Sequence, residues 1–432
     1  MFYLKDATIW TGKKLIKNGW LGIESGKIKE VGTGKIEQGE SVKNRLIMPG
    51  FVNLHSHLYS TLFRGLGINI TPVTFGDILS KIWWQWDKAM DEEAVFYSAL
   101  IGGIESLKAG ITTLIDHHAS YGFVKGSLSR VKEAIIDTLG MRADLCFEIS
   151  DRHGKEASKK AIEENIEFLE KIGNTPLLSA HIGLHASFTL KDDTLRRIKE
   201  FAPRGVGFHI HIAEGIEDEV ITKQIYGKSV AKRLEDHGVL NEKSILVHGI
   251  HLDEEEKETL KEYNVVLAHT PQSNMNNAVG VANIRELLQK GIRVVLGTDG
   301  YSINILNELR TLPLLQKHTR RDYNAVEFSD ITKVWENGYK VVNDLFGIKS
   351  GMIESGYTAD IIVVDYEPFT PMNEENFYSH LIYGMTDHFR VVDVYVNGEK
   401  VLSNGNPTLV DYERVRKDAQ RVAKKMWERM TA

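Results

Sequence analysis

Eight short apolar segments that alternate with helical patterns constrain the fold of this chain more than any other feature of its sequence. The helical pattern is clearest over 93–109, where apolar residues recur at spacings of three and four. Eight strands alternating with helices predict a (β/α)8 TIM-like barrel of the α/β class. A doubly wound open sheet is the alternative, although no Gly-x-Gly-x-x-Gly turn follows the first segment. The segments are 51–57, 111–118, 142–149, 177–186, 205–214, 244–249, 265–271 and 293–300.

The two ends of the chain carry a different pattern, made of short strands separated by Gly-containing turns. Asn397-Gly398 lies between two apolar runs and is typical of a hairpin turn. Both ends therefore predict one small β-sandwich into which the barrel is inserted. A charged amphipathic pattern over 409–430 predicts a final helix for packing or oligomer contacts. The expected organisation is a sandwich half at 1–49, the barrel at 50–355, and the other sandwich half plus the helix at 356–432.

Composition excludes several classes of partner and site. The net charge is -6, which gives no basic footprint for nucleic acid. No apolar run approaches the length of a membrane span, and the N-terminus lacks the pattern of a secretion signal, so we expect a cytoplasmic protein. The one cysteine, Cys146, excludes an intrachain disulfide and a cysteine-based zinc site. Any metal ion must therefore use histidines and carboxylates.

The first apolar segment ends in His55-Ser56-His57. Side chains two apart on a strand share a face, so both imidazoles would point to the same place. Two protonated imidazoles would repel each other there, whereas two neutral ones can bind a metal ion. Coincidence is the competing interpretation, because the chain has 16 histidines.

The ends of the other segments favour the metal site. A barrel enzyme carries its active site at the carboxyl ends of its strands. His211 and Asp299 lie at two of these ends, and with His55 and His57 they make a suitable ligand set for a divalent ion. His209, one layer deeper, is expected to be a hydrogen-bonded core residue. The remaining polar residues at segment ends are Asp116, His117, His118, His185, Glu214, His248 and His269.

Four short motifs, "PGFVNLHSH", "HIHIAE", "LVHG" and "LGTDG", occur in this order. The chain resembles the amidohydrolase superfamily in these motifs, and within it the cytosine-deaminase-like and chlorohydrolase-like aminohydrolases. "LIDHHAS", "YGKSV" and "SNMNN" are similar to a group labelled SsnA, a gene-context label that defines no reaction. The resemblance covers nearly the whole chain, including the split β-sandwich.

The resemblance implies that His55, His57, His211 and Asp299 hold one divalent metal ion, with zinc favoured and iron as the competitor. Such an ion can lower the pKa of its water from about 15.7 to about 7. Asp299 would take the proton of that water, and Glu214 and His248 would form the proton-handling pair. Members with two metals use a lysine on the fourth strand, and 177–186 contains none. A single ion is therefore expected.

The substrate contacts are expected from residues near the strand ends. Alternatives remain: Arg64 could form a structural salt bridge, Trp84 could pack a loop, and His118 could be a polar loop residue. After the seventh segment, "HTPQSNMNN" has Asn276 where the thioadenosine deaminases of this branch usually have lysine, so their substrate is not assigned. The expected contacts are Arg64, Trp84, His118, His185, Asn274 and Asn304.

Hydrolytic deamination of an N-heterocyclic amine, such as a purine, pyrimidine or pterin, by a metal-bound hydroxide is the expected function. A different leaving group, such as a triazine chloride, an alkylamine or a cyclic amide, is the alternative, because pocket contacts rather than metal ligands select it. A non-catalytic scaffold is a third possibility, which the intact ligand set disfavours. The expected partners are a small heterocyclic substrate and other copies of the chain in a homo-oligomer, with no nucleic acid and no membrane.

Overall fold

The computed structural model describes residues 1–173 and 175–431. Strands follow most of the apolar segments closely. In chain order they are β1 (Phe2–Trp10), β2 (Leu15–Glu24), β3 (Lys27–Thr33), β4 (Glu40–Ser41), β5 (Leu46–Pro49), β6 (Phe51–Ser56), β7 (Ile111–His118), β8 (Arg142–Phe147), β9 (Leu178–Ala180), β10 (Ile182–Ala186), β11 (Phe208–Ile212), β12 (Ile245–His248), β13 (Val266–His269), β14 (Arg293–Leu296), β15 (Ile361–Asp365), β16 (Arg390–Val396), β17 (Glu399–Ser403) and β18 (Asn406–Pro407).

Strands β6 to β14 form the barrel. They make two parallel runs, β6 to β9 and β10 to β14. Bridges between Ile149 and Leu184 and between Ser56 and Asp299 join these runs at both edges. The fourth predicted strand is divided into β9 and β10 at His181. The segments therefore close into a (β/α)8 barrel, which confirms the predicted fold class and excludes the open sheet.

Helices and helical turns connect the barrel strands. The α-helices are α1 (Phe75–Ile78), α2 (Trp84–Ala89), α3 (Glu92–Lys108), α4 (Ser127–Lys132), α5 (Lys155–Lys171), α6 (Asp192–Phe201), α7 (Ile216–Tyr226), α8 (Val230–Asp236), α9 (Glu254–Glu262), α10 (Pro271–Asn276), α11 (Ile284–Gln289), α12 (Ile305–Arg320), α13 (Phe328–Phe346), α14 (Phe377–Ser379), α15 (Thr386–His388) and α16 (Tyr412–Thr431). Leu58–Phe63 and Ser187–Thr189 are 3-10 turns, and Leu79–Trp83, Glu133–Thr138 and His380–Met385 are π-helical turns. Within the described ranges, no helix has both the length and the apolar character of a membrane span.

Both chain ends contribute to one sheet of nine strands. Its centre is the antiparallel pairing of β5 with β15, in which Ile47 lies opposite Val363. The buried Arg142 of β8 forms a salt bridge with Asp360, which ties the barrel to this sheet. The domain bounds 1–49, 50–355 and 356–432 stay a prediction.

The C-terminal helix α16 packs on α3 and on the turn that follows β6. Arg421 forms a salt bridge with Glu93 at the start of α3, with 3.2 Å between Nη1 and Oε2. The indole N–H of Trp427 donates to the carbonyl oxygen of Leu62 at 2.8 Å. The helix therefore fixes the polypeptide that leaves the first barrel strand.

The last and first barrel strands approach each other closely because residue 297 is glycine. A Cβ atom on Gly297 would lie 2.7 Å from the Cβ of His55 and 2.9 Å from its carbonyl oxygen. With glycine there, the amide N–H of Thr298 donates to the carbonyl oxygen of His55 at 2.9 Å. This contact brings Asp299 beside the histidines of β6.

Candidate active site

Five polar side chains meet at the carboxyl ends of the barrel strands. His55 and His57 lie at the end of β6, His211 is in β11, His248 ends β12, and Asp299 follows β14. The candidate ligand atoms of His55, His57, His211 and Asp299 all lie within 4.8 Å of one another. The structure thus brings together the four residues that the sequence predicts as metal ligands.

Backbone hydrogen bonds orient two of these imidazoles. Nδ1–H of His57 donates to the carbonyl oxygen of His117 at 2.6 Å, and Nδ1–H of His211 donates to that of His185 at 2.9 Å. In the neutral rings the Nε2 atoms therefore carry lone pairs. These two Nε2 atoms lie only 3.2 Å apart. Two lone pairs at that distance require a positive charge between them.

His55 and Asp299 complete the set. Nδ1 of His55 lies 2.9 Å from Nε2 of His209, which agrees with the expected core position of His209. Nε2 of His55 is buried and makes no hydrogen bond within the described chain. The Asp299 carboxylate lies 3.5 Å from that atom and 3.0 Å from Nε2 of His57. Three imidazole nitrogens and one carboxylate oxygen therefore enclose a position that fits a divalent cation.

The protonation of these histidines supports a cation position. Burial lowers the pKa of His55 to about 3 and holds that of His211 well below its usual range, so both rings are neutral. Burial also acts on His57, but the hydrogen bond and charge of Asp299 raise its pKa to about 9. A proton shared by His57 and Asp299 and a divalent ion therefore compete for the same position.

Three residues at the site have left-handed backbone conformations, which are uncommon outside glycine. The φ angles are 47° at Ala213, 75° at His248 and 56° at Asp299. The Asp299 carboxylate accepts hydrogen bonds from Oγ of Ser273 at 2.6 Å and from the amide of Gly300 at 2.8 Å. Strained conformations held in place by hydrogen bonds are common at functional sites.

Glu214 and His248 lie beside the ligand cluster. Oε2 of Glu214 is 3.4 Å from Nε2 of His248, which is 3.9 Å from Oδ2 of Asp299. Asn277 donates to Oε1 of Glu214 at 3.2 Å, and Oδ1 of Asn274 lies 2.8 Å from Nδ1 of His248. Burial raises the pKa of Glu214. A carboxyl group in this position can hold a proton and transfer it.

Asp218 connects the turn that follows His185 to the loop that carries Glu214. Its carboxylate accepts the amide N–H of Ala213 at 2.9 Å and that of Phe188 at 3.1 Å. Burial raises the pKa of Asp218 to about 7. Because Ala213 directly precedes Glu214, this buried carboxylate fixes the position of the proton-handling group.

A cavity of about 340 Å³ opens onto the cluster. Aromatic and aliphatic side chains from the turn after β6 and from α1 and α2 form much of its wall, and the polar groups lie near the ligand cluster. Such a cavity suits a flat, polar ring. The lining residues are His57, Tyr59, Ser60, Phe63, Arg64, Gly65, Leu66, Phe75, Leu79, Trp83, Trp84, Glu148, Arg152, His185, His211, Glu214, Ser273, Asn276, Asn277, Asp299, Gly300 and Tyr301.

Three of the predicted substrate contacts line this cavity: Arg64, Trp84 and His185. Arg64 also forms the salt bridge considered as its alternative, with 2.6 Å between Nη1 and Oε2 of Glu105. The nearby Trp86 lies in the core, where its indole N–H donates to the carbonyl oxygen of Tyr59.

The structure places the other three, His118, Asn274 and Asn304, outside the lining residues and pairs each with the protein. His118 Nε2 lies 2.9 Å from Oγ of Ser120. Asn274 contacts His248, as described above. Asn304 begins α12, where its Oδ1 accepts the amide N–H of Leu306 at 3.1 Å. The substrate roles of these three side chains stay predictions.

Two charged residues in the cavity, Glu148 and Arg152, were not predicted from the sequence. Both are buried, and their side chains form a salt bridge. Burial by itself would raise the pKa of Glu148, but the Arg152 guanidinium holds it well below its usual range. Glu148 lies at the end of the third predicted strand, so the rule that barrel strands end in functional residues could have found it.

A closed barrel with clustered imidazoles and a carboxylate at the carboxyl ends of its strands defines the class of metal-dependent barrel hydrolases. Residues 46–401 match the model of the Amidohydrolase family, so the chain belongs to that family. This result confirms the resemblance seen in the motifs.

Similar proteins include two deaminases. The chain is 32% identical over 416 residues to a 5'-deoxyadenosine deaminase of Methanocaldococcus jannaschii, covering 92% of this chain and 94% of that protein. It is 32% identical over 426 residues to a 5-methylthioadenosine/S-adenosylhomocysteine deaminase of Aquifex aeolicus, covering 95% of each. Among solved structures, a zinc-bound adenosine deaminase from Xanthomonas campestris matches with a TM-score of 0.84 at 22% identity, covering 98% of each chain.

Proposed function

We propose that this protein is a metal-dependent aminohydrolase that releases ammonia from an amino group on an N-heterocycle. Water supplies the oxygen that replaces nitrogen at the ring carbon, the C–N bond breaks, and the amino group leaves as ammonia. The two deaminases that are 32% identical over nearly the whole chain support this reaction class.

The observation that carries the proposal is the convergence of the Nε2 atoms of His57 and His211 at 3.2 Å, beside the unpaired Nε2 of His55 and the Asp299 carboxylate. We propose that these four residues hold one divalent ion. Three nitrogen donors and one carboxylate suit zinc, and iron is the competitor. Bound there, the ion would supply an activated water by lowering its pKa.

The remaining groups handle protons and orient the ring. Asp299, with Oδ2 facing His248, can accept a proton from the attacking water. Glu214, whose pKa is raised by burial, can hold a proton and donate it to a ring nitrogen. His248 lies between these two carboxylates and can stabilise developing charge on the oxygen. The apolar walls around Trp83 and Trp84 would hold a flat ring and exclude water.

Ammonia release from a substrate panel tests the proposal. Zinc-loaded protein would be incubated with aminopurines, aminopyrimidines, aminopterins and aminotriazines, and ammonia would be measured. We expect ammonia from one of these ring classes. Chloride released from a chlorotriazine without any ammonia would instead support the alternative leaving group, and would overturn deamination.

The matched variants are Glu214→Gln and Glu256→Gln. Both replace a buried carboxyl group by an amide, but Glu256 lies in α9, where it accepts the amide N–H of Ala231, outside the cavity. We expect Glu214→Gln to lose turnover by about 100-fold or more while keeping its metal, because general acid–base groups contribute about 10²–10⁴-fold. Glu256→Gln should keep turnover. Equal rates in both variants would contradict the role of Glu214.

A further inference from the structure

A third carboxylate, Glu148, faces the same cavity as Glu214 and Asp299. It follows β8 and is only 3% exposed. Candidate ligand atoms of Glu148, His185 and His211 lie within 4.8 Å of one another, so Glu148 is close to the proposed reaction centre. The reaction described above gives it no role.

The arginine beside Glu148 is already neutralised by protein groups. Arg152 donates through Nη1 to Oε1 of Glu148 and through Nη2 to Oδ2 of Asp87 at 2.6 Å. Its Nε lies 3.4 Å from Nε2 of His153. Because two carboxylates share this guanidinium, the cavity wall has no free cation here for an anionic ligand. The group left facing the ligand is the Glu148 carboxylate.

Oε2 of Glu148 accepts no hydrogen bond from the part of the chain that the structure describes. His117 Nδ1 lies 3.3 Å away, but Nε2 of that ring faces the carbonyl oxygens of Leu184 at 3.1 Å and His209 at 3.2 Å. The ring therefore donates through Nε2, and Nδ1 presents a lone pair. Consistently, Nδ1 of His117 is buried and makes no hydrogen bond within residues 1–173 and 175–431.

His185 adds a second acceptor to this wall. Its Nδ1 lies 2.8 Å from Oγ1 of Thr189, whose hydroxyl donates to the carbonyl oxygen of Ala186 at 3.0 Å. Nδ1 of His185 is therefore the donor, and Nε2 of the neutral ring carries a lone pair. Two acceptors, Glu148 Oε2 and His185 Nε2, thus border one side of the cavity, and a bound ring with only acceptors there would leave them unpaired.

We propose that Glu148 and His185 select heterocycles that carry an N–H donor in addition to the amino group that leaves, such as a ring with a second exocyclic amino group. This inference rests on the proposed function. It separates the protein from its adenosine-type relatives, because the ring nitrogens N1, N3 and N7 of a 9-substituted adenine are acceptors, whereas an added 2-amino group is a donor.

9-Methyladenine and 9-methyl-2,6-diaminopurine test the inference, because neither has a ring N–H, both carry the 6-amino group, and they differ only by the 2-amino donor. Dissociation constants would be measured by titration calorimetry on zinc-loaded Glu214→Gln protein, in which turnover is blocked. A hydrogen bond to a charged acceptor predicts that 9-methyl-2,6-diaminopurine binds about 10- to 100-fold more tightly than 9-methyladenine. Equal dissociation constants would overturn the inference, and no variant at Glu148 is needed for that result.

Glu148→Gln in the same background gives a sharper signature. The amide oxygen would stay on Arg152, so the amide N–H₂ would face the cavity and the wall would change from acceptor to donor. The preference for 9-methyl-2,6-diaminopurine over 9-methyladenine should then disappear or reverse. Asp87→Asn, which alters the other carboxylate on Arg152 outside the lining residues, should keep the preference. A Glu148→Gln protein with an unchanged preference would show that the Glu148–Arg152 pair is purely structural.

The two proposals fail in different ways. If no panel member releases ammonia but the binding preference is present, deamination fails and the recognition of an N–H donor by Glu148 and His185 stands. If ammonia is released while 9-methyladenine and 9-methyl-2,6-diaminopurine bind equally, deamination stands and the recognition of an N–H donor by Glu148 and His185 fails.

Discussion

Replacing Asp218 by alanine should weaken both the fold and the active site. The carboxylate is 3% exposed and accepts the amide N–H groups of Ala213 and Phe188. A buried donor without a partner costs about 1–3 kcal/mol, so two should lower the free energy of unfolding by about 2–6 kcal/mol. Ala213 would also lose the contact that holds its φ of 47°, and Glu214 would shift. A misplacement of about 1 Å can reduce turnover by about 100-fold.

The assay is urea unfolding together with ammonia release, compared with Asp236→Ala. Asp236 forms partly exposed ion pairs with Lys228 and Lys232, so its loss should cost at most about 1 kcal/mol. An Asp218→Ala protein with the urea midpoint and turnover of the wild type would refute the role of Asp218 as the support of Glu214.

Stability should also depend on pH through Asp218. Its pKa is about 7 in the folded protein and 3.8 ordinarily, so between about pH 4 and pH 7 the folded state keeps a proton that the unfolded state has lost. The contribution of this proton to stability is present near pH 4 and is lost as the pH rises towards 7. The difference in unfolding free energy between wild type and Asp218→Ala should therefore shrink over that range. A constant difference would contradict the buried, protonated carboxyl group.

Three further substitutions test neighbouring contacts. Asn274→Ala removes the nearer of two partners of His248 Nδ1 and leaves Oγ1 of Thr270 at 3.1 Å. It should lower kcat about 10- to 100-fold without changing metal content, and unchanged kcat would argue against this orienting role. His209→Phe removes the hydrogen-bond partner of a proposed ligand and should weaken zinc binding about 10- to 100-fold in a chelator competition, whereas an unchanged affinity would contradict it. Arg142→Met leaves Asp360 buried without its cation and should destabilise the protein by about 3–5 kcal/mol in urea unfolding, while a change under 1 kcal/mol would show that the salt bridge is dispensable.

Sequence patterns predicted the barrel and the cluster for one physical reason. Alternation along a strand fixes which side chains share a face, and parallel barrel strands deliver their last residues to the same end. His55, His57, His211 and Asp299 could therefore be placed together before any contact was known. The strand patterns of both chain ends likewise indicated the sheet in which β5 pairs with β15.

Side-chain directions at strand ends and in loops could not be predicted in the same way. Asn304 follows β14 in the sequence, but its side chain caps α12, and His118 turns to Ser120. The left-handed conformations of His248 and Asp299, with φ angles of 75° and 56°, were not visible in the sequence patterns. Glu148 was missed although it ends a predicted strand, because a single carboxylate there does not resemble a metal or acid–base motif until the structure shows Arg152 beside it.

Metal content tests most simply whether His55, His57, His211 and Asp299 form a metal site. Wild-type protein, His211→Ala and His181→Ala would each be stripped with a chelator, reloaded with zinc, dialysed and analysed for zinc per chain. His181 is a buried histidine that contacts Asp144 rather than the ligand cluster, so it is the matched control. We expect about one zinc per chain in wild type and in His181→Ala. We expect less than about a tenth of a zinc per chain in His211→Ala, because a site of four ligands retains little metal after losing one. Wild-type protein that takes up no zinc, or a His211→Ala protein that keeps one per chain, would contradict this metal site.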